Sequence, residues 1–385
     1  MKKIAVLFGG KSVEHEVSII TGMQVMENMD KSKYQPVPIY ITKEGRWLSD
    51  PSFTDFKVFK NKEWNHGKEV FFQMGQGGKL YTIEAKSGRL FSKGGSSLEV
   101  VETIDMVFPA LHGTYGEDGK IQGLLELLNL PYVGADVLAA AVGMDKVMMK
   151  KVFEKEGIPI LPYTWAYRST WEKVKTAFKN KVKELGYPVF VKPSNLGSSI
   201  GITKVMDEST LEEAVELALH YDDKVLVEQG AHPCRELNMA VLGYQRKYET
   251  SQIEEPLTQG EVYDYSAKYM SGSKSKGKNS RNFPALSPEL QEELETYGKM
   301  AMDAIQGTGV ARLDYILEND KCYVNEINTM PGSISFYLWE VKGISIQELI
   351  NILLEQGQQR REEKKKTGYT IDVNLLDQTT YGSKL

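Results

Sequence analysis

Two short runs near the carboxyl end of the chain each carry a pair of polar residues two positions apart with an apolar residue between them. The first is Val310-Ala311-Arg312-Leu313-Asp314, and the second is Cys322-Tyr323-Val324-Asn325-Glu326-Ile327-Asn328. Alternate residues of a strand share a face, so two adjacent antiparallel strands would show Arg312 and Asp314 on one side, with Glu326 and Asn328 beside them. The turn Glu318-Asn319-Asp320 lies between the runs. For all four side chains to point the same way, the connection needs an odd number of residues, which predicts a three-residue loop, Glu318 to Asp320. Carboxylates and an amide oxygen are hard ligands of the kind Mg²⁺ prefers, usually completed by substrate phosphates. A metal–nucleotide site fits this pattern.

At roughly 100 to 200 residues per domain, a chain of 385 predicts two or three domains, each able to bury its own core. The amino-terminal part has βαβ rhythm: Ile4 to Phe8 as a strand, Val17 to Met29 as a helix, Val37 to Ile41 as a second strand. Residues 45 to 100 change to short alternating segments that read as hairpins or an inserted excursion. Met106 to Leu111 resumes as a buried strand, with helices expected at 119–129 and on to about 156. A compact α+β block follows, with strands near 162–167, 188–192, 202–205 and 224–228 and helices at Thr170–Leu185 and Glu208–His220. Beyond 235 the strands become long and antiparallel, with one helix at 287–306 that starts Ser287-Pro288-Glu289, an N-cap followed by proline.

Composition removes several classes. A chain with 41% hydrophobic residues is not disordered, and its two cysteines, Cys234 and Cys322, make no disulfide framework. The longest stretch without a polar side chain, Val137 to Met144, is far short of the roughly 20 residues a membrane span needs. The amino terminus reads as a strand rather than a signal peptide, which places the protein in the cytoplasm. A formal net charge of −5 provides no electrostatic footprint for nucleic acid. Small-molecule substrates are expected.

Three loops follow strand ends, where ligands of open α/β sheets bind. Gly9-Gly10-Lys11-Ser12 is neither a P-loop, since position 5 is Ala5, nor a G-x-G-x-x-G fingerprint, but it leads to Glu14 beside a helix start. His112-Gly113-Thr114-Tyr115-Gly116-Glu117-Asp118-Gly119 clusters ionisable groups among glycines. Val189-Phe190-Val191-Lys192 ends in a cation and runs into Pro193-Ser194-Asn195-Leu196-Gly197-Ser198-Ser199-Ile200-Gly201, a loop whose composition suits cradling a phosphate.

Together with Met144-Asp145-Lys146, Tyr265-Ser266-Ala267-Lys268-Tyr269 and Asn325-Glu326-Ile327-Asn328-Thr329-Met330-Pro331-Gly332, this ordered series resembles the ATP-grasp superfamily and, within it, the D-alanine–D-alanine ligases, over about residues 3 to 350. The resemblance implies a three-domain α/β (α+β) ATP-grasp fold. Its parts would be an N-terminal parallel-sheet, pre-ATP-grasp domain at 1–141, a central subdomain at 142–234, a C-terminal subdomain with metal site and mobile lid at 235–360, and a polar tail at 361–385. It implies ATP and Mg²⁺ or Mn²⁺ as cofactors, D-alanine as substrate, an acyl-phosphate intermediate, a homodimer, and a part in making the dipeptide of the peptidoglycan stem.

Residue by residue, Glu14 matches the group that holds the first substrate's ammonium. Ser198 and Tyr269 match the network tying down a lid at about 264–283. Arg312 and the Gly332 N–H match the oxyanion donors. Lys146 and Lys192 match the phosphate contacts, Ser199 and Lys268 further ATP-binding positions, Glu228 and Glu236 the adenine and ribose contacts, and Asp314, Glu326 and Asn328 the metal ligands. His112 and Ser335 match substrate contacts.

The chain departs from the family in three places. The segment from Gly332 to Leu338-Trp339-Glu340 is shortened, which opens D-serine, D-lactate or another amine as the acceptor. One residue is added between Glu228 and Glu236, and one is missing between Asp314 and Glu326. A catalytically inactive nucleotide-binding protein is the remaining alternative, disfavoured because the lysines, metal ligands and arginine are all present.

Overall fold

The computed structural model describes residues 1–86, 95–256 and 281–373. The chain opens with strand β1 (Lys2–Gly9), helix α1 (His15–Asn28) and strand β2 (Tyr34–Ile41), and β1 pairs with β2 in parallel. Both faces of β1 are covered, which is why it reads as an unbroken apolar run. Ile4, Val6 and Phe8 enter one hydrophobic cluster and Ala5 and Leu7 another. Helix α1 rests directly on this strand: a Cβ at Gly22 would lie 2.6 Å from Cβ of Phe8.

The excursion is indeed built of short pieces: β3 (Trp47–Ser49), α2 (Phe56–Lys60), β4 (Lys68–Glu69), β5 (Phe71–Phe72), β6 (Lys79–Lys86) and β7 (Gly95–Thr103). Strands β3 and β4 extend the first sheet, while β5, β6 and β7 make an antiparallel sheet of their own. Strand β8 (Met106–Pro109) returns to the other side of β1, again in parallel, giving the order β4-β3-β2-β1-β8.

Helices α3 (Lys120–Leu127), α4 (Val137–Met144) and α5 (Lys146–Lys155) lead to the central sheet. That sheet has the order β11-β10-β12-β9 and is antiparallel throughout, with β9 (Tyr163–Tyr167), β10 (Val189–Pro193), β11 (Thr203–Val205) and β12 (Lys224–Gln229). Helices α6 (Trp171–Leu185) and α7 (Leu211–Tyr221) cover it with Trp171, Phe178, Val182, Leu211 and Val215.

The third sheet has the order β14-β13-β15-β16, from β13 (Arg235–Tyr244), β14 (Lys247–Glu254), β15 (Gly309–Glu318) and β16 (Lys321–Asn328). Helix α8 (Pro288–Ala304) starts as its sequence requires, with the Ser287 side chain accepting the Leu290 N–H and proline at the first position. The hairpin β15–β16 corrects one expectation. Glu318 pairs with Lys321, so the turn has two residues, Asn319 and Asp320, both at left-handed φ (48° and 63°), and not three. A regular ladder from that turn would set Asp314 opposite Asn325. A bulge between Asp314 and Tyr315 shifts the register, so that Asp314 faces Glu326 and Arg312 faces Asn328. The four side chains share a face, as the alternation required, by another route.

The cores do not follow the expected boundaries. Met149 and Phe153 of α5 pack with Leu237, Leu313 and Val324 of the third sheet, not with the central sheet. Helices α9 (Phe336–Glu340) and α10 (Ile346–Lys364) place Leu338, Trp339, Leu349 and Leu353 in the cluster of Phe8 and Phe108. Helix α10 also overruns the expected start of a polar tail at 361. Arg360 is 5% exposed and donates to the carbonyls of Tyr132 (2.8 Å) and Gly134 (2.5 Å), while Lys364 pairs with Glu126.

Candidate active site

The three loops singled out in the sequence meet around one carboxylate. Glu14 precedes α1, and its Oε1 accepts a hydrogen bond from Ser198 Oγ at 2.5 Å, a contact spanning 184 positions. Two glycines crowd close to it, and at Gly113 the φ of 71° also favours glycine. A Cβ at Gly197 would lie 2.6 Å from Glu14 Oε2, and one at Gly113 would lie 2.7 Å from the same atom. The double glycine after β1 has a similar cause: Gly9 sits at φ 90°, and a Cβ there would meet the Ile41 carbonyl at 2.3 Å. Ser18 holds the turn by accepting from the Gly9 N–H (2.8 Å) and donating to the Ala110 carbonyl (2.6 Å). Ser198 and Ser199 are both left-handed, at φ 58° and 57°.

Lys192 lies one residue before the end of β10, and its ammonium donates to Glu228 Oε2 at 2.6 Å and to Asn325 Oδ1 at 3.3 Å. Glu228 is 1% exposed and takes a second cation, Lys150, on its other oxygen. Burial works to raise the Glu228 pKa, but the two lysines outweigh it and hold the carboxylate below its usual range. Lys192 is held above the ordinary lysine value, since Glu228 more than offsets its burial. One turn before Lys150 on α5, Lys146 reaches Glu326 Oε2 (3.2 Å) and donates to the Leu196 carbonyl (3.0 Å). Asp145 anchors that helix start by accepting the N–H groups of Val147 and Met148 and the Ser194 hydroxyl (2.7 Å).

On the third sheet Arg312 grips Asp314 with two hydrogen bonds, 2.6 and 2.7 Å, and Asn328 Nδ2 lies 3.4 Å from the same carboxylate. Burial disfavours the Arg312 charge, yet Asp314 more than restores it and holds the guanidinium well above its ordinary pKa. Glu236 shares this face, two residues before Asn238, which pairs with Asp314. Among the described residues no group of three or more His, Cys, Asp and Glu side chains is arranged to hold a metal. The donor set is instead two facing carboxylates, Asp314 and Glu326, and the Asn328 amide. This suits a magnesium ion that takes its remaining ligands from phosphates and water.

His112 departs from its expected role. It is 2% exposed, and both ring nitrogens are engaged: Nδ1 with the Met330 carbonyl (2.8 Å) and Nε2 with Thr21 Oγ1 (2.8 Å), which leaves neither for a substrate. Ser335 is fully buried at φ 50°, and its Oγ has no hydrogen-bond partner. Gly332 is more open: a Cβ there would meet only Val17 Cγ1, at 3.7 Å. Lys268, Tyr269 and the expected lid through residue 280 lie outside the described residues. Sequence reasoning missed Lys150, Asn325, Thr21 and any role for Glu117. The i, i+4 spacing from Lys146 was a signal for Lys150. Thr21, one residue among the buried positions of α1, offered none.

Family models described as "D-ala D-ala ligase N-terminus" and "D-ala D-ala ligase C-terminus" match residues 3–135 and 152–355. The D-alanine–D-alanine ligase of Thermosipho africanus (strain TCF52B) is 39% identical over 382 residues, covering 98% of this chain and 99% of its own. That of Bacillus velezensis is 39% identical over 372 residues, covering 95% and 100%. Among solved structures, the D-alanine–D-alanine ligase from Coxiella burnetii superposes with a TM-score of 0.77 at 30% identity, covering 95% of this chain and 96% of that one. The VanG D-Ala:D-Ser ligase from Enterococcus faecalis gives 0.72 at 28%, covering 92% and 99%. With its two domains matched in order and full-length relatives aligned almost end to end, the chain belongs to the D-alanine–D-alanine ligase family and is an ATP-dependent ligase of the ATP-grasp fold.

Proposed function

We propose that the cleft between the central and third sheets takes ATP with Mg²⁺, for which Mn²⁺ would substitute, and joins two D-alanines through an acyl phosphate. One observation carries this reading: cations and carboxylates from three loops and two sheets are linked in one place, through Ser198–Glu14, Lys146–Glu326, Lys192–Asn325 and Arg312–Asp314. In this reading Glu236 contacts the ribose and Glu228, its two oxygens taken by Lys150 and Lys192, lies beside the adenine site without a free oxygen to offer, while Lys146 and Lys192 hold the phosphates and Ser199 and Lys268 complete the ATP site. Asp314, Glu326 and Asn328 would hold the metal, which when bound screens negative charge on the transferring phosphoryl group.

Glu14 takes the first D-alanine's ammonium and so turns its carboxylate toward ATP. A carboxylate oxygen attacks the γ-phosphorus and ADP leaves. The second amine then attacks the carbonyl carbon, and negative charge grows on the carbonyl oxygen, which Arg312 and the Gly332 N–H stabilise. The carbon–oxygen bond to phosphate breaks, and the departing phosphate takes the proton that the amine gives up. Ser335, whose buried hydroxyl has no partner, is the residue this reading assigns to the second substrate, and Tyr269, with Ser198 and Glu14, closes a lid that keeps water from the acyl phosphate. His112 supports the site from behind.

We also place the enzyme in the cytoplasm as a homodimer supplying the peptidoglycan dipeptide, on the strength of the family resemblance. No helix among the described residues is long and apolar enough to cross a membrane. A phosphate-release assay with ATP, Mg²⁺ and a panel of D-amino and D-hydroxy acids tests the activity. D-alanine should be the preferred acceptor; preference for D-serine or D-lactate overturns the acceptor, and no release with any acceptor overturns the reaction. Light scattering at working concentration tests the dimer.

A further inference from the structure

We propose that Thr21 and Glu117, acting with His112, form a positioning clamp that fixes the Gly332 N–H where the tetrahedral intermediate needs it. The inference rests on the reading of Gly332 and Arg312 as the oxyanion donors.

The segment Met330–Ser333 leaves strand β16 and is held at three backbone polar atoms, the N–H and carbonyl of Met330 and the N–H of Ser333, by groups from the amino-terminal unit. Glu117 Oε1 accepts the Met330 N–H at 3.0 Å, and its other oxygen accepts the Gly113 N–H at 2.8 Å. The Met330 carbonyl has no proton to give, so His112 donates to it from Nδ1, which fixes the tautomer. Nε2 is then an acceptor and takes the Thr21 hydroxyl proton, leaving Thr21 Oγ1 to accept the Ser333 N–H at 3.0 Å. The hydrogen bonds thus run one way, from Ser333 through Thr21 and His112 to Met330. Burial favours the neutral imidazole that this arrangement needs, lowering the His112 pKa.

Within these four residues Pro331 has no N–H, and Met330 and Ser333 donate to the clamp. Gly332 opens the short turn Gly332–Ser335, and its amide is the one N–H of the segment that the clamp does not engage. The clamp also ties this amide to α1 and the β8–α3 loop, which flank Glu14. The unit that grips the first substrate's ammonium therefore also sets the distance of the donor from its carbonyl oxygen. A displacement of about 1 Å in such an arrangement costs roughly a hundredfold in rate.

The test uses the full-length chain with the substitutions Thr21→Val, Thr21→Ser and Glu117→Gln. Thr21→Val and Glu117→Gln should lower kcat roughly ten- to a hundredfold, leaving KM for ATP and for the first D-alanine unchanged. Affinity for a tetrahedral phosphinate analogue of the dipeptide should fall in parallel, affinity for ADP should hold, and Thr21→Ser should restore turnover. A merely structural role would lower ADP affinity and thermal stability along with kcat, and that result overturns the clamp. So does wild-type kcat in both folded variants. If Glu117→Gln does not fold, the Thr21→Val and Thr21→Ser pair decides. Arg312→Met separates the two readings: unchanged turnover there rejects the oxyanion assignment itself, whereas lost turnover beside wild-type clamp variants rejects the clamp alone.

Discussion

Replacing Glu228 by glutamine should damage the protein more than replacing Lys150 by methionine, although the two residues share one ion pair. Their side chains are each 1% exposed, and Lys192, on the other carboxylate oxygen, is 10% exposed. Lys150→Met leaves a one-to-one pair, Lys192 with Glu228, and keeps most of the apolar stem, so its cost should be about 1 to 2 kcal/mol. Glu228→Gln leaves two ammonium groups facing across a neutral amide in a buried site. Their repulsion alone is on the order of 3 kcal/mol at an effective dielectric of about 20, and orphaning a buried charge typically brings the total to about 3 to 5 kcal/mol. Loss of a proton from one lysine caps this, because neutralising a lysine at pH 7 costs about 5 kcal/mol. The Glu228→Gln protein should therefore bind fewer protons folded than unfolded, and its stability should rise with pH toward the ordinary lysine value. Urea denaturation of the nucleotide-free chain at several pH values measures both effects. Equal destabilisation by the two substitutions, or a Glu228→Gln deficit that does not shrink as pH rises, would refute the argument.

Glu117 is pushed up to about 8, by burial first and by Glu14 second, so between its ordinary value of 4.5 and about 8 the folded protein keeps a proton that the unfolded chain gives up. Stability at urea midpoints should fall as pH rises through that window, and Glu117→Gln should flatten the slope. Gly22→Ala should cost about 1 to 3 kcal/mol by pressing α1 off Phe8, whereas Gly123→Ala, in α3 with open space around it, should stabilise by roughly 1 kcal/mol; paired melts check the contrast. Arg360→Met strands two buried carbonyls, at Tyr132 and Gly134, and should cost about 2 to 4 kcal/mol and hasten proteolysis at the end of α10.

The parts of this molecule most legible in its sequence are those governed by local period. Strand β1 announced burial on both faces by five apolar residues in a row, and the alternation of Arg312 with Leu313 and of Glu326 with Ile327 announced a two-faced hairpin. What periodicity does not carry is the identity of the partner. Helix α10 shows an apolar stripe, but nothing local says that it covers Phe8 and Phe108, more than 230 positions away. Lys150 reads as an ordinary helix lysine until Glu228 arrives from another sheet, and Thr21 reads as core until Ser333 and His112 close on it. The loop prediction at Glu318 to Asp320 applied a sound parity rule to a ladder assumed regular, and the bulge broke that assumption.

That bulge separates two jobs a hairpin usually couples. Its far end only has to reverse the chain, which Asn319 and Asp320 do, while its near end has to aim Glu326 and Asn328; the extra residue between them absorbs any mismatch. A single-residue length change at the tip, which would otherwise swing both ligands into the core, becomes survivable when offset by gaining or losing the irregularity. The surplus position on β16 has work of its own, since Asn325 meets Lys192.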